Sequence, residues 1–270
     1  MVGTHAIKNG KLVKVEDALV NVTKREMQFS YSIYESLRVV DARAIFFEDH
    51  MKRLKGSAEG LDMDLIFSKS EIKSWVKLLI KADDIDKASV RILVIGGPQS
   101  EIFITASPIL SYDESLYENG IITYSYKGER LWPQYKTSNL LMSYMALKDA
   151  KDRGGFESIL ENRNGELLEG TRSNFYAFHG NDLYTAPDDV VLSGITRIRV
   201  MKAARDLNFN IIMEAPTLEK VKSGFYDEAF ISSTSMATMP IQSLDEHKFS
   251  GNFERCMKMH EIIRELEKKD

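Results

Sequence analysis

Ser111-Tyr112-Asp113-Glu114-Ser115-Leu116-Tyr117-Glu118-Asn119-Gly120 divides the chain. The run is polar, it follows Ser107-Pro108, and periodic apolar patterns stop before it and resume at Ile121. It therefore reads as a linker between domains at 1–110 and 121–270. Working back from it, Glu101–Ala106 and Ser89–Ile95 read as strands joined by Gly96-Gly97-Pro98-Gln99-Ser100. Ser70–Ala82 and Glu48–Leu61 carry apolar residues at helical spacing, with Ser70 placed to cap the former. Ser36–Val40 and Ala44–Phe47 read as strands, and His5–Lys8 and Lys11–Val15 flank Asn9-Gly10 as a hairpin. Working forward, Ile121–Tyr126, Glu157–Glu161, Phe175–His179, Leu183–Thr185, Asn210–Glu214 and Glu228–Ser232 read as strands. Helices are expected over Asn139–Arg153, Ile195–Leu207 and Glu254–Glu267, with a helical turn or two at Leu218–Gly224. The fold class is α+β in two lobes.

Composition narrows the function classes without choosing one. The 270 residues hold 36 Lys+Arg against 40 Asp+Glu, a net charge of −4, and 43% are hydrophobic. Interspersed signs and a weakly acidic balance give no footprint for nucleic acid. No stretch is apolar enough to cross a membrane, and no leader pattern opens the chain, so a cytoplasmic location is expected. Cys256 is alone, and the histidines lack metal-ligand spacing, so no metal site is expected.

The dinucleotide fingerprint, the phosphate loop and the hydrolase nucleophile elbow are all absent. What remains is a set of polar turns. Ser193-Gly194-Ile195-Thr196-Arg197 opens a helix, where free amides and a hydroxyl suit an anion. Ser232-Ser233-Thr234-Ser235 ends an apolar strand with hydroxyls. Each has a plain reading too, as a helix cap and as a polar loop. Lys136, in Tyr135-Lys136-Thr137-Ser138-Asn139, is expected beside a helix start, whose field favours the neutral amine that a Schiff-base lysine needs. An ordinary solvated lysine would look the same. Glu169-Gly170-Thr171-Arg172-Ser173-Asn174 sets a carboxylate and an arginine in one tight turn, which is equally a surface loop with a local ion pair.

Taken in order, these turns together with His50-Met51-Lys52-Arg53-Leu54 resemble the fold-type IV aminotransferases that use pyridoxal 5'-phosphate. The resemblance runs from the hairpin nearly to the last helix. It implies a small N-terminal α/β lobe, a larger C-terminal lobe with a β-barrel-like sheet, and a homodimer. It also implies roles. Lys136 would hold the cofactor covalently and then move the proton at the substrate Cα. Glu169 would pair with the pyridine nitrogen. Arg53, Ile195, Thr196, Ser233 and Thr234 would take the phosphate, and Asn174 would hold its loop.

The substrate is harder to read. The Lys-Thr-Ser-Asn spacing resembles the D-amino acid and lyase branches more than the branched-chain enzymes. The Arg-x-His pair with which well-known D-amino acid enzymes hold the α-carboxylate is replaced by Gly96-Gly97-Pro98-Gln99-Ser100. Arg172, supported by Arg91, is the expected replacement, with Tyr34 as the aromatic residue near the cofactor. Arg91 equally fits a structural pairing across its sheet, and Arg38 fits either a branched-chain style of site or the surface. The expected activity is amino transfer between an amino acid, of the D type first, and a 2-oxo acid. A branched-chain L-amino acid aminotransferase, an aminodeoxychorismate lyase and a non-catalytic binder of a phosphorylated ligand are the alternatives.

Overall fold

The computed structural model describes residues 2–250 and 252–270, which fall into two compact units. The first takes the chain up to Leu110 together with Tyr135–Asn139 and Asp270; the second takes Ser111–Gln134 and Leu140–Lys269.

The first unit comprises β1 (His5–Lys8), β2 (Lys11–Lys14), α1 (Arg25–Gln28), β3 (Ser32–Val40), β4 (Arg43–Ala44), α2 (Phe47–Gly60), α3 (Lys69–Ala82), β5 (Ala88–Ile95) and β6 (Glu101–Ser107). The turn between β1 and β2 has positive φ at both Asn9 and Gly10, as an Asn-Gly hairpin requires. The strands form an antiparallel sheet in the order β2-β1-β6-β5-β3-β4, with one core under α2 and α3. Strand β3 starts four residues earlier than its periodicity suggests, and Phe47, read as strand, opens α2. Ser68 rather than Ser70 caps α3: its hydroxyl accepts from the Glu71 amide while the Glu71 carboxylate accepts from the Ser68 amide.

The segment 135–139 packs with this unit, although the sequence places it well inside 121–270. Its backbone lies along the free edge of β3: Tyr34 donates to the Lys136 carbonyl at 3.0 Å and Ser138 donates to the Ser32 carbonyl at 3.0 Å. Lys136 is thus on a strand-like segment and not at a helix start, because the following helix begins only at Leu141.

The second unit comprises α4 (Glu114–Asn119), β7 (Ile121–Lys127), α5 (Leu141–Asp152), β8 (Glu157–Glu161), β9 (Leu167–Gly170), β10 (Asn174–His179), β11 (Asp182–Tyr184), α6 (Ile195–Asp206), β12 (Asn210–Ile212), α7 (Leu218–Lys222), β13 (Glu228–Ser233), β14 (Ala237–Leu244), β15 (His247–Lys248) and α8 (Glu254–Lys269). The polar run 111–120 thus carries a helix, capped by the Asp113 side chain. Strands β10-β13-β14-β7-β8-β9 form a ring that the pairing of β9 with β10 closes, giving a six-stranded barrel. Phe175 and Ala177 of β10 enter one core, and Tyr176 and Phe178 enter a second core beneath α6 and α8. Strands buried on both faces lose alternation and read as continuous apolar runs. Two strands of the ring go unread, β9, which runs into the polar 169–174 turn, and β14, in which Pro240 masks the strand; β7 pairs with β14 only from Ile241 onward, beyond the residue that lacks an N–H.

Candidate active site

Two-residue periodicity sorts β3 into faces. Ile33, Glu35, Leu37 and Val39 point into the core of the first unit, and Tyr34 points to the opposite face. Arg91 of β5 pairs in register with Ser36, which places it diagonal to Tyr34 on that second face. The Arg91 guanidinium lies 4.0 Å and the Lys136 ammonium 4.6 Å from the Tyr34 ring centre. Tyr34, Arg91 and Lys136 are therefore one cluster, and Arg91 engages an aromatic ring beside the candidate lysine.

Helix α2 supplies the rest of this unit's candidate site from one face. His50, Arg53, Ser57 and Gly60 follow one another at three- or four-residue steps and so share that face. The Lys136 amide donates to Ser57 Oγ at 3.1 Å. A Cβ on Gly60 would lie 2.1 Å from the tip of the Tyr135 ring, so a larger residue there would push aside the ring next to Lys136. Arg53 donates from Nε and Nη2 to the two oxygens of Glu35, each at 2.7 Å, and His50 Nδ1 lies 2.7 Å from Glu35 Oε2. Burial works against an ionised Glu35, but the Arg53 charge and the hydrogen bonds from Arg53 and His50 outweigh it and hold the carboxyl down at about 2. Burial pushes the His50 imidazole down, towards its neutral form.

In the second unit, closure of the barrel assembles the other candidates. Asn174 pairs with Glu169 across β9–β10 and with Ser232 across β10–β13. Its Nδ2 also donates to the Leu192 carbonyl at 2.8 Å, tying the turn before α6 to the same point. A Cβ on Gly194 would lie 2.3 Å from Asn174 Oδ1, so a side chain there would displace the Asn174 amide. Glu169 is buried, accepting from Arg130 Nη1 at 3.3 Å and from the Leu192 amide at 3.2 Å. The Glu169 carboxylate, the start of α6 with Ile195 and Thr196, and the Ser233-Thr234 turn are thus drawn together around Asn174. Gly194 offers no side-chain cap to α6, which leaves the first-turn amides to an incoming anion. Arg197, beside them, faces inward instead and binds Asp188, Thr185 and the Ala186 carbonyl.

Arg172 is partly exposed. It lies over Phe156 at 5.8 Å, and its Nε is 3.6 Å from Glu157 Oε2. Glu157 is wholly buried and accepts from the hydroxyls of Thr171 and Ser173 and the Thr171 amide, so it shapes the turn that carries Arg172. Burial pushes the Glu157 carboxyl up, against the pull of Thr171 and Arg172.

Within the first unit, a lysine amine set among an aromatic ring and an arginine suits a carbonyl-bearing ligand. The lysine neighbourhood includes Ser138 Oγ and His50 Nε2, both buried and without a hydrogen-bond partner among the described residues. Within the second unit, the uncapped start of α6 and the hydroxyls beside it suit a phosphate. The family model for amino-transferase class IV matches residues 32–244. The chain belongs to the class IV aminotransferases. It is a transaminase of the pyridoxal-phosphate-dependent kind. The D-alanine aminotransferase of Bacillus licheniformis is 30% identical over 249 residues, 88% of this chain and 87% of that protein. A probable branched-chain-amino-acid aminotransferase of Rickettsia felis is 27% identical over 278 residues, 98% of this chain and 93% of that protein. Among solved structures, the branched-chain aminotransferase of Thermobaculum terrenum in its PLP form has a TM-score of 0.86 at 23% identity, covering 99% of this chain and 95% of that one.

Several residues of this aminotransferase escaped the sequence reading. Glu35 carries a signal, since it is a charged residue in phase with Ile33, Leu37 and Val39 on an alternating strand. Ser57 and Gly60 fall on the Arg53 face of α2, but the partner they hold is far away in sequence. Arg130 and Glu157 have no local signature, because barrel closure alone brings them to the 169–174 turn.

Proposed function

We propose that this class IV aminotransferase exchanges the amino group of a D-amino acid with a 2-oxo acid and works as a homodimer. The carrying observation is the Tyr34 cluster, which sets a guanidinium, Arg91, beside the lysine in a chain that lacks the usual Arg-x-His pair. Likeness to D-alanine aminotransferases supports the same substrate class.

In this reading Lys136 holds the cofactor and moves the proton at the substrate Cα, while Ser57 and Gly60 fix its backbone. Glu169 pairs with the pyridine nitrogen, steadied by Arg130 and the Leu192 amide. Arg53, the Ile195 amide, Thr196, Ser233 and Thr234 take the phosphate. Arg172 and Arg91 take the substrate carboxylate, and Tyr34 packs beside the reacting carbon. The bound cofactor supplies the electron sink for the charge that develops at Cα.

Half-reactions followed by the loss of cofactor absorbance test the substrate class. D-alanine should convert the wild type at least tenfold faster than L-leucine does, and Lys136→Ala should react with neither. A faster reaction with L-leucine would favour the second reading, a branched-chain L-amino acid aminotransferase, which the Rickettsia felis relative supports.

A further inference from the structure

We propose that Glu35 is a positioning residue for cofactor phosphate: it fixes the guanidinium of Arg53 and, through His50, the face of α2 that carries it. The inference rests on the reading that Arg53 takes the phosphate.

Glu35 is an anomaly in its strand. It has no exposed surface, and Ile33, Leu37 and Val39 share its face of β3. A carboxylate in such a place has to be neutralised and hydrogen-bonded or it destabilises the fold. Here its two oxygens take three donors, Nε and Nη2 of Arg53 and Nδ1 of His50, all at 2.7 Å. The pairing with Arg53 is bidentate through one edge of the guanidinium, which sets the plane of the group as well as its distance. The Arg53 side chain is itself 11% exposed, so little solvent competes for its place.

His50 provides the second anchor. It stands one helical turn before Arg53 and has no exposed surface. Donation from Nδ1 to Glu35 leaves Nε2 as the acceptor of a neutral ring. Glu35 thus grips α2 at two points of the face that also carries Ser57 and Gly60, the residues against which the lysine segment packs. Stability alone gives a weak reason for such a device, because buried ion pairs are often no better than apolar side chains of the same volume. Orientation gives a stronger one. A guanidinium held by a carboxylate has a fixed plane and position, whereas an untethered arginine would lose conformational freedom each time it met phosphate.

The test compares two probes on cofactor-free protein, pyridoxal 5'-phosphate and pyridoxal, with dissociation constants from quenching of tryptophan fluorescence. Glu35→Gln keeps shape and removes charge. It should weaken pyridoxal 5'-phosphate by roughly tenfold or more, the size expected for a charge-assisted contact, and leave pyridoxal within about twofold. Equal weakening of both probes, or of neither, overturns the proposal. Arg53→Gln should show the same selectivity for the phosphorylated probe. Adding Glu35→Gln to it should then cost less than about twofold more, because Glu35 acts through Arg53. Additive losses overturn the positioning role while leaving Arg53 as the phosphate ligand. An Arg53→Gln variant that treats both probes alike removes the premise, and the proposal falls with it. If Glu35→Gln does not fold, Glu35→Asp takes its place, with the same selective loss expected and a uniform loss counting against the proposal.

Discussion

Two buried glutamates, one in each unit, show how a single environment decides what a carboxylate does. Glu35 is charged because Arg53 and His50 saturate its oxygens; Glu157 meets mostly neutral donors, and burial raises its carboxyl. The linkage signs are opposite. Glu35 has a folded-state value of about 2 against an ordinary 4.5, so its contribution is complete above about pH 4.5 and fades as pH falls towards 2. Glu157 is raised, so its contribution is present in acid and lost as pH rises through its folded-state value. The downward shift of Glu35 corresponds to roughly 3 kcal/mol. Urea unfolding of wild type and Glu35→Gln should therefore show a stability gap that narrows by about 1 kcal/mol between pH 6 and pH 3.5. A gap that stays constant over that interval would mean that Glu35 is not the anion described.

Helix α2 is the element on which the first unit's candidate residues depend, and its two glycines make the point. A Cβ on Gly56 meets nothing within 4 Å, while one on Gly60 would lie 2.1 Å from the Tyr135 ring. Neither residue has positive φ, so alanine should favour the helix by roughly 0.5–1 kcal/mol at Gly56, and by less at Gly60 where the helix ends, if nothing else mattered. Gly56→Ala should raise the melting temperature by a few degrees. Gly60→Ala should lower it and weaken cofactor binding, because the Lys136 segment must give way. Melting curves and cofactor titrations check both, and equal effects of the two substitutions would break the argument. The same helix shows what a sequence makes legible. Its apolar stripe, Met51, Leu54 and Ala58, follows from spacing alone, whereas Arg53 is singled out only by the family resemblance of its motif. The polar stripe faces residues of β3 and the distant 135–139 segment, so its meaning appears only when the chain folds. The cap of α3 is a different case, since Ser68-Lys69-Ser70-Glu71 already holds the Ser-x-x-Glu spacing of a capping box. Pro240 in β14 is the converse, a local signal against strand that the end of the β7 ladder overrides.

At the scale of the whole molecule, periodicity announces α+β and the family resemblance the barrel-like sheet, while the affiliation of Lys136 with β3 depends on pairing that no local pattern announces. One feature of the surface bears on assembly. Helix α5 buries Ser143, Ala146 and Ala150, which are small, and turns Leu141, Tyr144 and Met145 outward. Leu141 is 72% and Tyr144 67% exposed, and the preceding loop adds Leu131 and Trp132, each more than half exposed. Large apolar side chains repeated along one exposed helix face are costly in water and characteristic of contact surfaces. A second copy of the chain is the partner that the proposed homodimer calls for. Sedimentation equilibrium should then give twice the 30.8 kDa mass of the chain at micromolar concentration. Tyr144→Glu, which sets a charge in the middle of that face, should shift the equilibrium towards monomer by roughly tenfold or more while the monomer keeps its melting transition. A wild type that sediments as a monomer at every concentration rejects the homodimer outright. A dimer indifferent to Tyr144→Glu keeps the assembly but moves its interface away from α5.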